Sequence, residues 1–434
     1  MKYLLDRFLH SQTTGAIVLL VAAASALFWA NSTWSGSYFA INQQQIGFYI
    51  GDDAYLLTFG DWIKDGLMVI FFFVVGLEIK REVLVGELSD PRKALLPIAA
   101  ACGGAVVPAI FYAIFNLSGG EAARGWGIPM ATDIAFALGV LALFGTRVPL
   151  GLKVFLTALA IVDDLLAILV IAFFYTSNIN FTVLIIAALL LALLSWVVRR
   201  RMHSPGIHLP ILIGIWLCIL LSGIHATIAG VLIAMIYPVQ SSIKPEVFFD
   251  TIKTRINQLE ESRLTRNSMI DDKKQLRAMN QIYLTTQDMI PSGIAMEENL
   301  HSIQAYLILP LFALSSAGVV VDNSVVSSLP DPVSMGVFSG LVFGKPIGIM
   351  LTSAVLVRSG MAKLGKGITW PMLFGCSVLA GIGFTMSIFI AELAFTDPQL
   401  ISEAKLSIFA ASISAAVLGS IILNWVLPEK KPEC

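Results

Sequence analysis

Charge is what this chain of 434 residues has least of. Only 13% of it is Asp, Glu, Lys or Arg and 57% is hydrophobic, against roughly 25% charged in a soluble domain. With a mean hydropathy of +0.82, that excludes a soluble fold with a large core and implies a polytopic helical membrane protein. The net charge of −1 offers no overall attraction to nucleic acid, and none is expected as a partner. Cysteine is sparse: Cys102, Cys218 and Cys376 lie in apolar segments and Cys434 is the last residue. Such scatter has neither metal spacing nor the pattern of a disulfide framework, so these read as small packing residues. No GxxxxGK[ST] run is present, so ATP hydrolysis is not the expected energy source. A repeated potassium-type filter and a nucleotide fingerprint are missing too, and no cofactor is expected. The short start Met1–His10 runs into an apolar segment with no Ala-x-Ala-like site behind it, so a cleavable leader is not expected.

What is there is a succession of apolar runs. A spanning helix needs about 20 residues, and twelve candidates appear: 12–30, 60–80, 94–116, 123–144, 150–175, 181–198, 208–221, 223–238, 302–320, 335–357, 371–395 and 404–427. The seventh and eighth are short and nearly continuous, which leaves eleven as an alternative count. The expected fold is thus an all-α polytopic membrane protein of about twelve transmembrane helices. Its parts are a membrane domain over 1–239, a charged insertion over 240–298 and a second membrane portion over 299–434.

Basic residues orient the chain. One set of ends carries Lys2, Arg7, Lys80, Arg81, Arg92, Lys93, Arg147, Lys153, Arg199, Arg200, Arg201, Arg358, Lys363, Lys366, Lys430 and Lys431. The other has few, Arg124 and Lys405 among them. Both termini are therefore expected in the cytoplasm, which favours the even count. Gln45–Tyr49, in the external 31–58 loop, alternates weakly as a small hairpin would. In the insertion, Phe248, Phe249, Ile252, Ile256 and Leu259 recur at helical spacing with charges opposite, the pattern of a solvated helical hairpin. A regulatory or lipid-touching role is the alternative.

Within the fifth run, Asp163 and Asp164 stand side by side with no basic residue next to them. An ionised carboxylate at the bilayer centre costs at least ~3 kcal/mol on insertion scales, so intramembrane acids usually mark ion or proton pathways. The pair points to cation binding inside the membrane. On an ideal helix adjacent side chains diverge by about 100°, so one aspartate can face a cavity while the other meets a basic partner. Lys345, in Gly344-Lys345-Pro346 of the tenth run, is the expected partner; the pair is either a switch that trades its bond for a cation or a permanent ion pair.

Two runs are interrupted. The fourth reads Gly125-Trp-Gly-Ile-Pro129-Met-Ala-Thr132-Asp133, the eleventh Gly381-Ile-Gly383-Phe-Thr385-Met-Ser387. Pro removes a backbone donor and Gly weakens a helix. Broken helices in different halves of a membrane chain point to a transporter site between inverted repeats; close packing by small residues is the plainer alternative. Asp65 lies near the external end of the second run. Glu78, Arg81 and Glu82 lie near its cytoplasmic end, where charges are ordinarily solvated but also suit an ion funnel. His225 either senses pH or packs through a hydrogen bond.

These motifs resemble the NhaA-type sodium/proton antiporters. The segments are Val75–Glu82, Ala131–Gly139, Ala160–Leu165, Gly223–Thr227, Gly344–Pro346 and Gly381–Ser387, in the family's order. The resemblance covers nearly all of the chain except the insertion. It implies twelve helices with the fourth and eleventh unwound and crossed at mid-membrane. It implies electrogenic exchange of inward protons for outward Na+ or Li+. Asp163 and Asp164 would bind the ion and the protons in turn, with Thr132 assisting. Asp133 would neutralise the facing positive helix ends and Lys345 the negative ones. Glu78, Arg81, Glu82, Glu297 and His225 would belong to the pH-responsive set. It also implies a homodimer through the 31–58 loop and a bacterial inner membrane. Leu166 departs from the family, which has glycine there, and suggests a narrowed cavity. The insertion enlarges the loop leading to Glu297. The rivals are a proton-uncoupled cation channel and an intramembrane aspartyl hydrolase; the latter places its two acids on different helices in Tyr-Asp and Gly-x-Gly-Asp contexts, which do not occur here.

Overall fold

The computed structural model describes residues 12–50, 53–117, 119–176, 179–200, 202, 204–241, 243–261, 273–321 and 330–428; Lys2, Arg7, Arg201, Lys430, Lys431 and Cys434 lie outside them. The chain is an all-α polytopic membrane protein, and each of the twelve apolar runs forms helix. In order the helices are α1 (Gln12–Ala30), α2 (Ser35–Asn42), α3 (Met68–Leu84), α4 (Pro91–Phe115), a 3-10 helix (Ala122–Met130) followed by α5 (Ile134–Ala142), α6 (Leu150–Phe174), α7 (Phe181–Arg199), α8 (Pro205–Leu221) and α9 (Thr227–Ile236). Then come α10 (Pro245–Glu261), α11 (Lys273–Met289), α12 (Ser292–Ile303), α13 (Leu309–Ser316), α14 (Pro332–Ser339), α15 (Lys345–Arg358), α16 (Trp370–Leu379), α17 (Phe384–Ala394) and α18 (Pro398–Val426).

Helix starts follow local chemistry. Asp90, Asp331 and Asp397 each cap a helix whose first residue is proline: the carboxylate accepts a free first-turn N–H and proline lacks one to satisfy. Turns of π-helix at Trp62–Leu67, Gln304–Ile308 and Gly340–Gly344 lead into α3, α13 and α15. The seventh and eighth runs are separate helices, α8 and α9. After α2, β1 (Gln45–Ile50) pairs antiparallel with β2 (Asp53–Thr58), Gln45 opposite Thr58. The insertion is a helical hairpin of α10 on α11.

Lipid exposure turns the usual pattern inside out. Phe28, Phe173, Val355 and Trp425 face outward, whereas Thr132, Asp133, Asp163, Asp164 and Lys345 are buried. Tails of lipid are as apolar as leucine, so helices associate by close packing of small residues rather than by the hydrophobic effect. The α3–α9 contact shows this. A Cβ added to Gly76 would lie 2.8 Å from the Ala234 Cβ and 3.3 Å from the Val231 Cα. Gly76→Leu is therefore expected to lower the melting temperature in detergent, since overpacking costs about 1–3 kcal/mol; an unchanged melt would show that this contact does not hold the two helices together.

Candidate ion site at the crossing of two broken helices

Glycine and proline decide the local geometry. Gly125, Gly127 and Pro129 leave the fourth span as a nine-residue 3-10 helix that stops at Met130, long for a form usually confined to 3–4 residues. Ala131–Asp133 then run extended before α5 begins. In the eleventh span α16 stops at Leu379, Ala380–Gly383 form the break, and α17 leaves at a bend of 48°. The two breaks meet. The Asp133 N–H donates to the Ile382 carbonyl at 2.7 Å, and the Thr132 hydroxyl to the Ala380 carbonyl at 2.8 Å. Ser387 Oγ donates to the Ile128 carbonyl at 2.9 Å. Glycine is needed at the crossing: a Cβ on Gly381 would lie 2.5 Å from the Leu341 carbonyl oxygen of the tenth span, and one on Gly383 2.1 Å from Ser387 Oγ.

Four half-helix ends are thus buried together, and each needs a partner. Asp133 serves both N-termini: Oδ1 accepts from Phe136 N of α5 at 3.0 Å, and Oδ2 from Thr385 N at 3.2 Å and the Thr385 hydroxyl at 2.5 Å. A carboxylate between two positive helix ends is electrostatically well placed. Lys345 serves a C-terminus, donating from Nζ to the Met130 carbonyl. The π-helical turn Gly340–Gly344 carries it there. Thr385, Ser387 and the Met130 carbonyl are site members that sequence reasoning did not single out. The hydroxyls beside the eleventh-span break were their only signal, and a main-chain acceptor leaves none.

Lys345 Nζ also donates to Asp163 Oδ2 at 2.6 Å, with both side chains fully buried. Asp163 Oδ1 and Asp164 Oδ1 are buried and make no close hydrogen bond among the described residues, although the Thr132 N–H and hydroxyl lie near the Asp163 carboxylate. Unpaired acceptors of this kind are rare in a folded protein. They leave lone pairs free for a cation or a proton. Leu166 lines an apolar cleft between α4, the 3-10 helix and α6.

Toward the C-terminal end of α3, Glu78 interacts electrostatically with Asp164 on one side and with Glu297, Arg81 and Glu82 on the other. Arg81 Nε is 3.1 Å from Glu297 Oε1, and Arg81 Nη2 is 3.5 Å from Glu82 Oε1. Desolvation holds the Glu297 carboxyl above the usual glutamate range, with Arg81 opposing and Glu82 adding to the shift. His225 is not in this group. Its Nε2 meets the Tyr175 carbonyl at 2.7 Å, at the opposite ends of the helices. Asp65 is at that end too. Its carbonyl accepts from Trp216 Nε1 at 2.7 Å, and it neighbours Lys64, Asp61 and Glu392. Glu392 pairs with Lys405 at 2.7 Å.

Two interrupted helices crossing beside buried acids, inside a polytopic helical membrane protein, define the architecture of a secondary transporter. The chain belongs to the Na+/H+ antiporter 1 family, whose model matches residues 6–423. It is 47% identical over 430 residues to a Na(+)/H(+) antiporter NhaA of Oleidesulfovibrio alaskensis, covering 98% of this chain and 95% of that protein. It is 45% identical to the protein of that name from Sulfurimonas denitrificans, covering 97% and 95%. For the one from Bacteroides fragilis the identity is 40%, covering 98% of each. The family match passes across 240–298, so the likeness does not stop at the insertion.

Proposed function

We propose that this chain is an electrogenic, pH-regulated antiporter that exports Na+, and Li+, in exchange for protons by alternating access, and so supports pH and sodium homeostasis. The observation that carries the reading is the pair of buried oxygens on Asp163 and Asp164 that make no close hydrogen bond among the described residues, beside the helix crossing. When the cytoplasm is alkaline the carboxylates lose their protons and take a cation that arrives past Glu78. The site then opens outward, external protons displace the cation, and the protonated site returns. Two carboxylates exchange more proton charge than one monovalent cation replaces, so each cycle moves net charge. If the two acids interact strongly, their titrations belong to the pair. Thr132 would lend an oxygen to the ion, while Asp133 and Lys345 keep the crossed helix ends neutral through both states. The assembly is a homodimer joined through the 31–58 hairpin, in a bacterial inner membrane with both termini cytoplasmic.

The test is collapse of a pH gradient in proteoliposomes on addition of Na+, Li+ or K+, from pH 6 to 9. Collapse driven by Na+ and Li+ that grows with pH supports the reading. Cation flux without proton movement would indicate a channel.

Regulation is assigned to the α12–α3 contact. A carboxyl whose folded-state pKa is raised stabilises the contact fully below the ordinary glutamate range, and that contribution is lost as pH climbs through the raised value. Deprotonated Glu297 faces Glu82, Glu78 and Glu298 with Arg81 as the opposing charge, so rising pH loosens α12 from α3. Glu297→Gln mimics the protonated form and is expected to shift the activity profile to higher pH with the maximal rate retained. An unshifted profile would remove Glu297 from the switch.

A further inference from the structure

Between α4, the 3-10 helix and α6 lies an apolar cleft of about 670 Å³, walled by Cys102, Ala109, Trp126, Met130, Leu166 and Val170 among others. That is within the about 300–1,000 Å³ of a small-molecule site. It opens between Val106, Ile110 and Leu117, all exposed apolar residues, toward the region of the lipid chains. Its inner end is Met130, whose carbonyl binds Lys345. Its other end, where α4 gives way to the loop before the 3-10 helix, is Asn116.

Asn116 is the polar exception in the cleft. It is only 4% exposed. Its Nδ2 is satisfied, donating to the Tyr112 and Pro332 carbonyls at 3.0 Å each. Its Oδ1 has no partner among the described residues. A buried unmet acceptor costs about 1–3 kcal/mol, so the cleft presents a place for a donor. An amide oxygen takes an N–H or O–H donor and offers nothing to a phosphate oxygen.

We propose that the cleft binds an ethanolamine phospholipid, with one hydrocarbon chain along α4 as far as Met130 and Leu166 and the ammonium group at Asn116 Oδ1. Hydrocarbon fits the walls and an ammonium fits the end. A choline lipid has the same chains and charge but no N–H. The bound lipid would back directly onto the residue that anchors Lys345.

Cys102, an exposed thiol in the cleft wall, reports occupancy. The full-length protein, with Cys218, Cys376 and Cys434 replaced by serine or alanine, is placed in nanodiscs of phosphatidylcholine alone or with one-third phosphatidylethanolamine or phosphatidylglycerol. N-ethylmaleimide labelling of Cys102 is timed, and retained lipid is read by native mass spectrometry. Ethanolamine lipid is expected to slow labelling about tenfold, the worth of one charge-assisted hydrogen bond, and to be retained selectively. Asn116→Leu is expected to erase the headgroup difference. Should that variant misfold, Ala109→Trp, which fills the cleft and leaves Asn116 alone, is expected to abolish lipid retention and make labelling equally slow in every lipid. Equal wild-type rates in ethanolamine and choline lipid would overturn the proposal. Equal protection by phosphatidylglycerol would overturn the ammonium assignment. Protection that depends on two copies per disc would mean that a second copy covers the cleft.

Discussion

Asp164→Asn is expected to abolish Na+-driven proton release at every pH from 6 to 9 while leaving the protein inserted and folded. Asp164 is buried, and its Oδ1 makes no hydrogen bond among the described residues. The amide is nearly isosteric and removes no visible contact, so the fold has little to lose. What it removes is the negative charge and the titratable proton, the two properties the exchange cycle uses. Losing an outer-shell partner of an ion site typically costs about 10–100-fold; losing one of two charged ligands is expected to cost more. Pyranine-loaded proteoliposomes measure the flux, and size-exclusion chromatography with a thermal melt verifies folding. Coupled flux near the wild-type rate would mean that Asp164 is only a buried acid.

The second large effect concerns Lys345 and Asp163. Both side chains are fully buried and the Nζ–Oδ2 distance is 2.6 Å. Breaking a buried ion pair from one side leaves an uncompensated charge and typically costs about 3–5 kcal/mol, whereas replacing both charges is often neutral or better. Asp163→Asn and Lys345→Met are each expected to lower the melting temperature clearly. The double variant is expected to recover most of the loss. Recovery stays incomplete because the Met130 carbonyl also loses its donor, a cost of about 1–3 kcal/mol. Coupled exchange is expected to vanish in all three. Additive melting shifts would refute the coupling. Exchange at the wild-type rate in the double variant would make the pair architectural, with transport resting on Asp164 alone.

The legibility of this molecule is uneven for a physical reason. Apolar run length speaks for itself, because the bilayer imposes a near-constant length and excludes unpaired polar backbone. The runs at 12–30 and 150–175 coincide with α1 and α6 within a residue at each end. The hairpin at 45–58 and the helical insertion were visible as alternation and as helical spacing. The acids at 163 and 164 were conspicuous because hydrocarbon tolerates so few charges. The breaks in the fourth and eleventh spans showed as glycine and proline.

Contacts between distant segments were not visible in that way. That one carboxylate, Asp133, caps two helices, the second through Thr385 252 residues further along the chain, is a matter of how the breaks cross. So is the role of the Met130 carbonyl, since every residue has a carbonyl and only position distinguishes this one. His225 follows the same rule: its motif grouped it with Arg81 and Glu297, but the direction of each span puts it at the other end. Leu166 stands beside the aspartates in sequence and lines the cleft between α4, the 3-10 helix and α6 in space, because successive helical positions turn by about 100°. Composition and periodicity settle which residues enter the membrane and which of them are unusual. Which of those meet, and at which end, depends on helix direction, rotation and crossing, and these are set by packing among segments far apart in the chain.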